Sequence, residues 1–172
     1  ENADIKKVLS DIKSFRETER KRDSSLIHPL GSNSEEDFLR RYNFYQTADR
    51  NLSVIDTGKL SYADKINLIL LRYSLEDELS DYQYKWYLNP ILSDAGFHTE
   101  ITGMGSSVLS TKKEFENYIS KLNDIPRYVD ENLNLMRRGL TLGISQPRAI
   151  FPGYESTYEQ HIVSDPRKSI FW

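Results

Sequence analysis

Histidine is the residue type best suited to bind a metal or transfer a proton, and the chain contains three, His28, His98 and His161. None stands at metal-ligand spacing from another histidine or a cysteine, and no H-E-x-x-H motif occurs. His28 is expected in a loop, and His161 near the end of the last helix, where a cation favours the terminal carbonyls. His98 follows Gly96 and Phe97 in a glycine-rich segment, from which it could reach a cleft. We predict no metal site in this chain.

Carboxylates and arginines supply two further candidate sets. Asp77 and Asp81, four residues apart, share a helix face and could perform acid–base chemistry or bind a metal. Charges at this spacing are more typical of a solvated helix face. Arg137, Arg138 and Arg148 could bind a substrate carboxylate through paired hydrogen bonds, although arginines near a helix end are also an ordinary surface feature.

The remaining chemical motifs predict no catalytic residue. An aromatic cluster could stack on a sugar or a peptide side chain, but such clusters more often pack a helix end into the core. The segment Gly103 to Ser107 is only superficially like a phosphate loop, because it lacks the Gly-Lys-Ser/Thr ending and no strand precedes it. No G-x-S-x-G motif supports a serine nucleophile. The aromatic cluster consists of Tyr82, Tyr84, Trp86 and Tyr87.

Composition excludes several classes of protein. The 172 residues include 23 basic and 26 acidic side chains, a near balance that argues against a nucleic-acid surface or a polybasic membrane patch. The chain has no cysteine, so it forms no disulfide and uses no thiolate chemistry. No apolar run approaches the roughly 20 residues needed to span a bilayer.

The elements that would position these residues are helices. Apolar residues recur at spacings of three and four, which predicts an all-α fold of about six helices in an irregular bundle. The third helix, with Ile66 and Leu68 to Leu71 apolar nearly all round, should be the most buried. Capping residues Ser34, Ser61 and Thr111 predict three helix starts. The predicted helices span 3–22, 34–57, 62–84, 111–123, 126–143 and 147–162.

We predict one helical domain over 1–172. Helical hairpins at 3–57 and 61–90 would be followed by a loop at 93–110 and the helices of 111–162. The chain begins at Glu1 and ends on Ile170, Phe171 and Trp172. Natural C-termini are usually polar, so we expect the chain to be a fragment of a longer one.

Four segments together resemble the bacterial family known as domain of unknown function 885, over about residues 34–172. They are SYADKINLILLRYSLEDEL (61–79), FENYISKL (115–122), IPRYVDENLNLMRRGLTLGISQPR (125–148) and DPRKSIFW (165–172). The resemblance implies an exported, periplasmic or outer-membrane-anchored lipoprotein with a zinc-metallopeptidase type of fold, and a lipid anchor upstream of Glu1. It places the metal motif downstream, so no catalytic residue or cofactor is expected in this chain, and zinc only in the full-length protein.

The resemblance also implies that this chain is the N-terminal helical part of the longer protein and forms the wall or cover of a peptide-binding cleft. The residues expected to contact substrate are Gly96, His98, Arg138 and Arg148. The expected partners are the remainder of its own polypeptide, with the metal-binding part, and a peptide substrate, but no nucleic acid.

Two alternatives remain open from the sequence. The chain could be a freestanding helical interaction module, in which case Ile170, Phe171 and Trp172 should pack on its own core. It could also be an enzyme complete within these residues, which would require zinc-dependent peptidase activity that depends on His98.

Overall fold

The computed structural model describes residues 2–23, 27–92, 95–159 and 161–172. Within these ranges the chain forms six α-helices and no strand, which confirms the all-α class. One isolated antiparallel bridge joins Ile91 and Gly96. The chain divides into two compact units, Glu1–Tyr87 and Leu88–Trp172. The single domain over 1–172 stays a prediction.

The first unit contains three α-helices, α1 (Ala3–Asp23), α2 (Glu35–Ser53) and α3 (Tyr62–Gln83). Helix α2 packs on both α1 and α3. Each helix turns one apolar stripe inward, as its sequence period requires. The buried side chains of this core are Ile5, Val8, Ile12, Tyr45, Ala48, Leu52, Leu60, Leu68 and Leu75.

The predicted serine caps begin α2 and α3. The Ser34 hydroxyl accepts a hydrogen bond from the backbone N–H of Asp37 at 3.2 Å. The Ser61 hydroxyl accepts one from the backbone N–H of Asp64 at 3.1 Å. Each bond satisfies a donor that has no partner within its own helix, so the local sequence fixes both starts.

The prediction that α3 is the most buried helix is wrong. Leu68 and Leu75 are buried, but Ile69, Leu70 and Tyr73 are 62%, 61% and 74% exposed. Within the first unit α3 packs chiefly on α2. A single neighbour covers only one stripe of a helix, so the rest of its apolar surface faces solvent.

The second unit contains α4 (Phe97–Met104), α5 (Lys112–Thr141) and the short α6 (Ser156–Glu159). The loop predicted at 93–110 therefore contains a helix, and that prediction is wrong for 97–104. The predicted capping box at the start of α5 is confirmed: Thr111 accepts from the N–H of Glu114, whose carboxylate accepts from the N–H of Thr111.

The helix break predicted at Pro126 is also wrong, because α5 runs through this residue. Proline lacks the N–H that would bond to the carbonyl of Leu122, which costs one helical hydrogen bond. Buried residues lie on both sides of it, among them Asp124, Tyr128 and Leu135. Burial of this continuous stripe offsets the lost bond.

The helix predicted at 147–162 is wrong in extent. The described residues form a 3₁₀ turn at Arg148–Ile150 and the four-residue α6. Pro152 lies between them, and Gly153 has a φ of 82°. A proline followed by a glycine with positive φ ends a helix. Pro152 therefore prevents the single long helix that the spacing of apolar residues predicted.

Candidate functional site

The backbone before α4 makes a tight approach at Gly96. A Cβ atom there would lie 2.8 Å from the Pro90 carbonyl oxygen, so only glycine fits. The N–H of Gly96 donates to the Thr99 hydroxyl at 3.2 Å, and that hydroxyl donates to the Gly96 carbonyl at 2.8 Å. Gly96 thus fixes the start of α4 and places His98 in its first turn.

His98 pairs with Tyr154, which the sequence analysis did not identify. The Tyr154 hydroxyl lies 3.1 Å from Nε2 and 3.4 Å from Nδ1 of His98, and the two ring centroids are 5.2 Å apart. Burial and the nearby imidazole of His161 lower the pKa of His98. Burial also raises the pKa of Tyr154. Both groups are therefore neutral at pH 7.

The Thr102 hydroxyl lies between His98 and His161. It donates to the His98 carbonyl at 3.1 Å and lies 2.9 Å from Nε2 of His161. Nδ1 of His161 is buried. The Phe171 ring stacks on this imidazole at 5.6 Å.

We call His98, Tyr154, His161 and Thr102 the imidazole site of the second unit. It offers half-buried hydrogen-bond donors and acceptors beside aromatic rings, an arrangement suited to contacting a peptide group and an adjacent side chain. No three His, Cys, Asp or Glu side chains come together to hold a metal among the described residues.

The two predicted arginines belong to other elements of the same unit. Arg138 is in the last turn of α5, and Arg148 begins the 3₁₀ turn that follows it. Both are exposed. The described hydrogen bonds and ion pairs join neither arginine to His98. Their substrate-binding role stays a prediction.

The other sequence candidates have structural roles or face solvent. Tyr82 stacks on Tyr42 of α2 at 4.7 Å and on Tyr87 at 5.2 Å, so part of the aromatic cluster packs the end of α3. Asp77 and Asp81 are exposed. Partial burial and the neighbouring Asp77 raise the pKa of Asp81, so the two carboxylates act on one another.

The apolar C-terminal residues Ile170, Phe171 and Trp172 differ in their contacts and exposure. The Tyr118 hydroxyl donates to the Phe171 carbonyl at 3.3 Å, and a Cβ atom on Gly105 would stand 2.6 Å from the Ile170 carbonyl oxygen. Trp172 is 81% exposed. Ile170 is also exposed, at 38%, and only Phe171 is half-buried, so the tail does not separate the two hypotheses.

Comparison with known proteins identifies the family. The family model described as bacterial protein of unknown function (DUF885) matches residues 22–170. The chain therefore belongs to this family, as its sequence predicted. No curated protein and no solved structure matches it. Among the described residues, no helix has the length and apolar character required to cross a membrane.

Proposed function

We propose that this chain is the non-catalytic helical part of an exported, peptide-hydrolysing family member, and that it forms one wall of the substrate cleft. The observation that carries the proposal is the contact at 3.1 Å between the Tyr154 hydroxyl and His98, which lies in the first turn of α4. Binding groups on a fixed scaffold can orient a substrate without rearranging.

The side chains of this chain are suited to binding a peptide substrate. A neutral imidazole has one donor and one acceptor, so His98 can bond to a peptide N–H or C=O while Tyr154 supports its ring. The exposed guanidinium groups of Arg138 and Arg148 can each hold a carboxylate through two parallel bonds. In this proposal the arginines select acidic side chains or the carboxyl end of a peptide.

Zinc would be bound by other parts of the full-length protein. A catalytic zinc takes three protein ligands, and the described residues offer no such group, so they do not fit this metal. The role assigned to this chain is to bind and orient the peptide. Export and lipid anchoring belong to the same proposal and are supported by the resemblance alone.

Peptide binding tests the proposal. The chain should bind members of a mixed peptide pool, and the ring resonances of His98 should shift in nuclear magnetic resonance spectra. Replacing His98 by alanine should weaken binding about fivefold, the value of one hydrogen bond. Arg138→Ala should weaken binding of acidic peptides, whereas Arg137→Ala, an exposed neighbour bonded to Asn134, should not.

Absence of binding, or equal effects of Arg138→Ala and Arg137→Ala, would remove the substrate-wall role.

A further inference from the structure

Helix α3 carries an exposed apolar stripe on the side opposite the core. We call it the α3 face. Its members occur at helical spacings of three and four, while Leu68 and Leu75 on the other side are buried. The α3 face consists of Tyr62 (81% exposed), Ile66 (40%), Ile69 (62%), Leu70 (61%) and Tyr73 (74%).

The area of this face is large for a monomer. With about 150–250 Å² for a fully exposed aromatic side chain and somewhat less for an aliphatic one, the exposed fractions amount to roughly 600 Å². That is the upper end of the largest apolar patch on a typical monomeric protein, about 300–600 Å². Continuous apolar patches of this size commonly mark an interaction surface.

Charges at the two ends of the face are opposite in sign. Lys65 stands near its N-terminal end, and Asp77 one turn beyond Tyr73; both are exposed. None of the ion pairs described for this chain includes either residue. Asp77 also acts on Asp81, whose pKa it helps to raise, so a cation is favoured at this end.

We infer that the α3 face binds a second copy of this chain, with the two α3 helices antiparallel about a twofold axis near Leu71. In this arrangement Ile69 packs against Tyr73 of the second copy, and Lys65 lies opposite Asp77 of the second copy. A twofold contact uses each pair twice, so one surface complements itself. Antiparallel helix dipoles add to the attraction.

The expected affinity of the dimer follows from its contact area. Two faces of roughly 600 Å² bury about 1,200 Å², the lower end of specific protein interfaces. We expect a reversible dimer with a dissociation constant on the order of 10–100 µM. The inference goes beyond the proposed substrate wall and does not depend on it, because it concerns the other unit.

Sedimentation equilibrium of the full chain between about 1 and 500 µM tests the dimer. Wild type should shift from monomer to dimer over this range, and Ile69→Asp should weaken association by more than tenfold, because it buries a charge. Val108→Asp is the matched control, since Val108 is 89% exposed and lies in the second unit. It should dimerise like wild type.

Charge-reversal variants test whether the partner is a second copy of this chain and whether the two α3 helices are antiparallel. Lys65→Glu and Asp77→Lys should each weaken the dimer about tenfold, since each change replaces two attractions by two repulsions. The double variant should recover most of the wild-type association. Both changes suit their positions relative to the helix dipole, so the fold should persist, as circular dichroism can verify.

A wild-type chain that stays monomeric at 500 µM overturns the inference and assigns the face to another occupant, such as the remainder of the family protein. A double variant that fails to recover also overturns it.

Discussion

The backbone at Gly139 of α5 passes so close to the backbone at Leu88 that a Cβ atom on Gly139 would lie 2.7 Å from the Leu88 carbonyl oxygen. The Ile144 carbonyl oxygen would stand 3.1 Å away on another side. Both obstacles are backbone atoms, which cannot rotate aside as a flexible side chain can. This contact joins the end of α5 to the first residue of the second unit, and only glycine allows it.

Replacing Gly139 by alanine should therefore destabilise the chain, although alanine favours helices. We expect the free energy of unfolding to fall by about 1–3 kcal/mol, the usual cost of overpacking. Gly103→Ala in α4 is the control, because nothing stands within 4 Å of its Cβ position. It should raise the free energy of unfolding by about 0.5–1 kcal/mol. Urea denaturation measures both, and equal effects would refute the close approach.

The carboxylate of Asp37 should contribute strongly to the stability of the first unit. Asp37 is 4% exposed and bonds to the Arg40 guanidinium at 2.7 Å and to the hydroxyls of Ser32 and Ser34. Burial alone would raise the pKa of Asp37, but these donors hold it well below its usual range. Asp37→Asn should lower the free energy of unfolding at pH 7 by about 2–3 kcal/mol. Glu36→Gln, an exposed neighbour, should change it little.

The stabilisation by Asp37 should also disappear in acid. A carboxyl group whose folded pKa is depressed stabilises the fold above its unfolded pKa of about 4, and this contribution is lost as the pH falls through the folded value. The difference between wild type and Asp37→Asn should therefore shrink below pH 4. A difference that is constant from pH 7 to pH 3 would show that the charge of Asp37 is not what stabilises the fold.

His98 should make the second unit sensitive to mild acid. Burial and His161 lower its folded pKa, while the unfolded chain binds the proton near pH 6.5. Below about pH 6.5 the unfolded state therefore holds more protons, and stability falls as the pH decreases towards the folded pKa. A His98→Gln variant should show a smaller loss between pH 7 and pH 5 in chemical denaturation. Equal losses in the two proteins would contradict the pKa assignment.

Local sequence signals predicted the helix starts well. Ser34, Ser61 and Thr111 each cap the helix that follows, because a cap depends on residues only three positions away. The burial of α3 was predicted wrongly for the opposite reason. An apolar composition does not tell how many neighbours a helix has, and in the first unit α3 packs chiefly on one.

The candidate site was only half predictable. Gly96 and His98 are near neighbours in sequence, and their glycine-rich context suggested a functional segment. Tyr154 lies 56 residues from His98, and Thr102 lies 59 residues from His161. No spacing rule connects residues so far apart in an irregular segment, and pairings of this kind follow only from the packing of the second unit.

The most direct test of the substrate-wall role is hydrolysis of a mixed peptide pool by the full-length family protein, with and without a metal chelator. We expect activity that the chelator abolishes. We also expect His98→Ala to raise KM about fivefold and to leave kcat unchanged, because the lost contact binds substrate and transition state equally. Chelator-resistant hydrolysis, or a His98→Ala variant with an unchanged KM, would contradict the substrate-wall role.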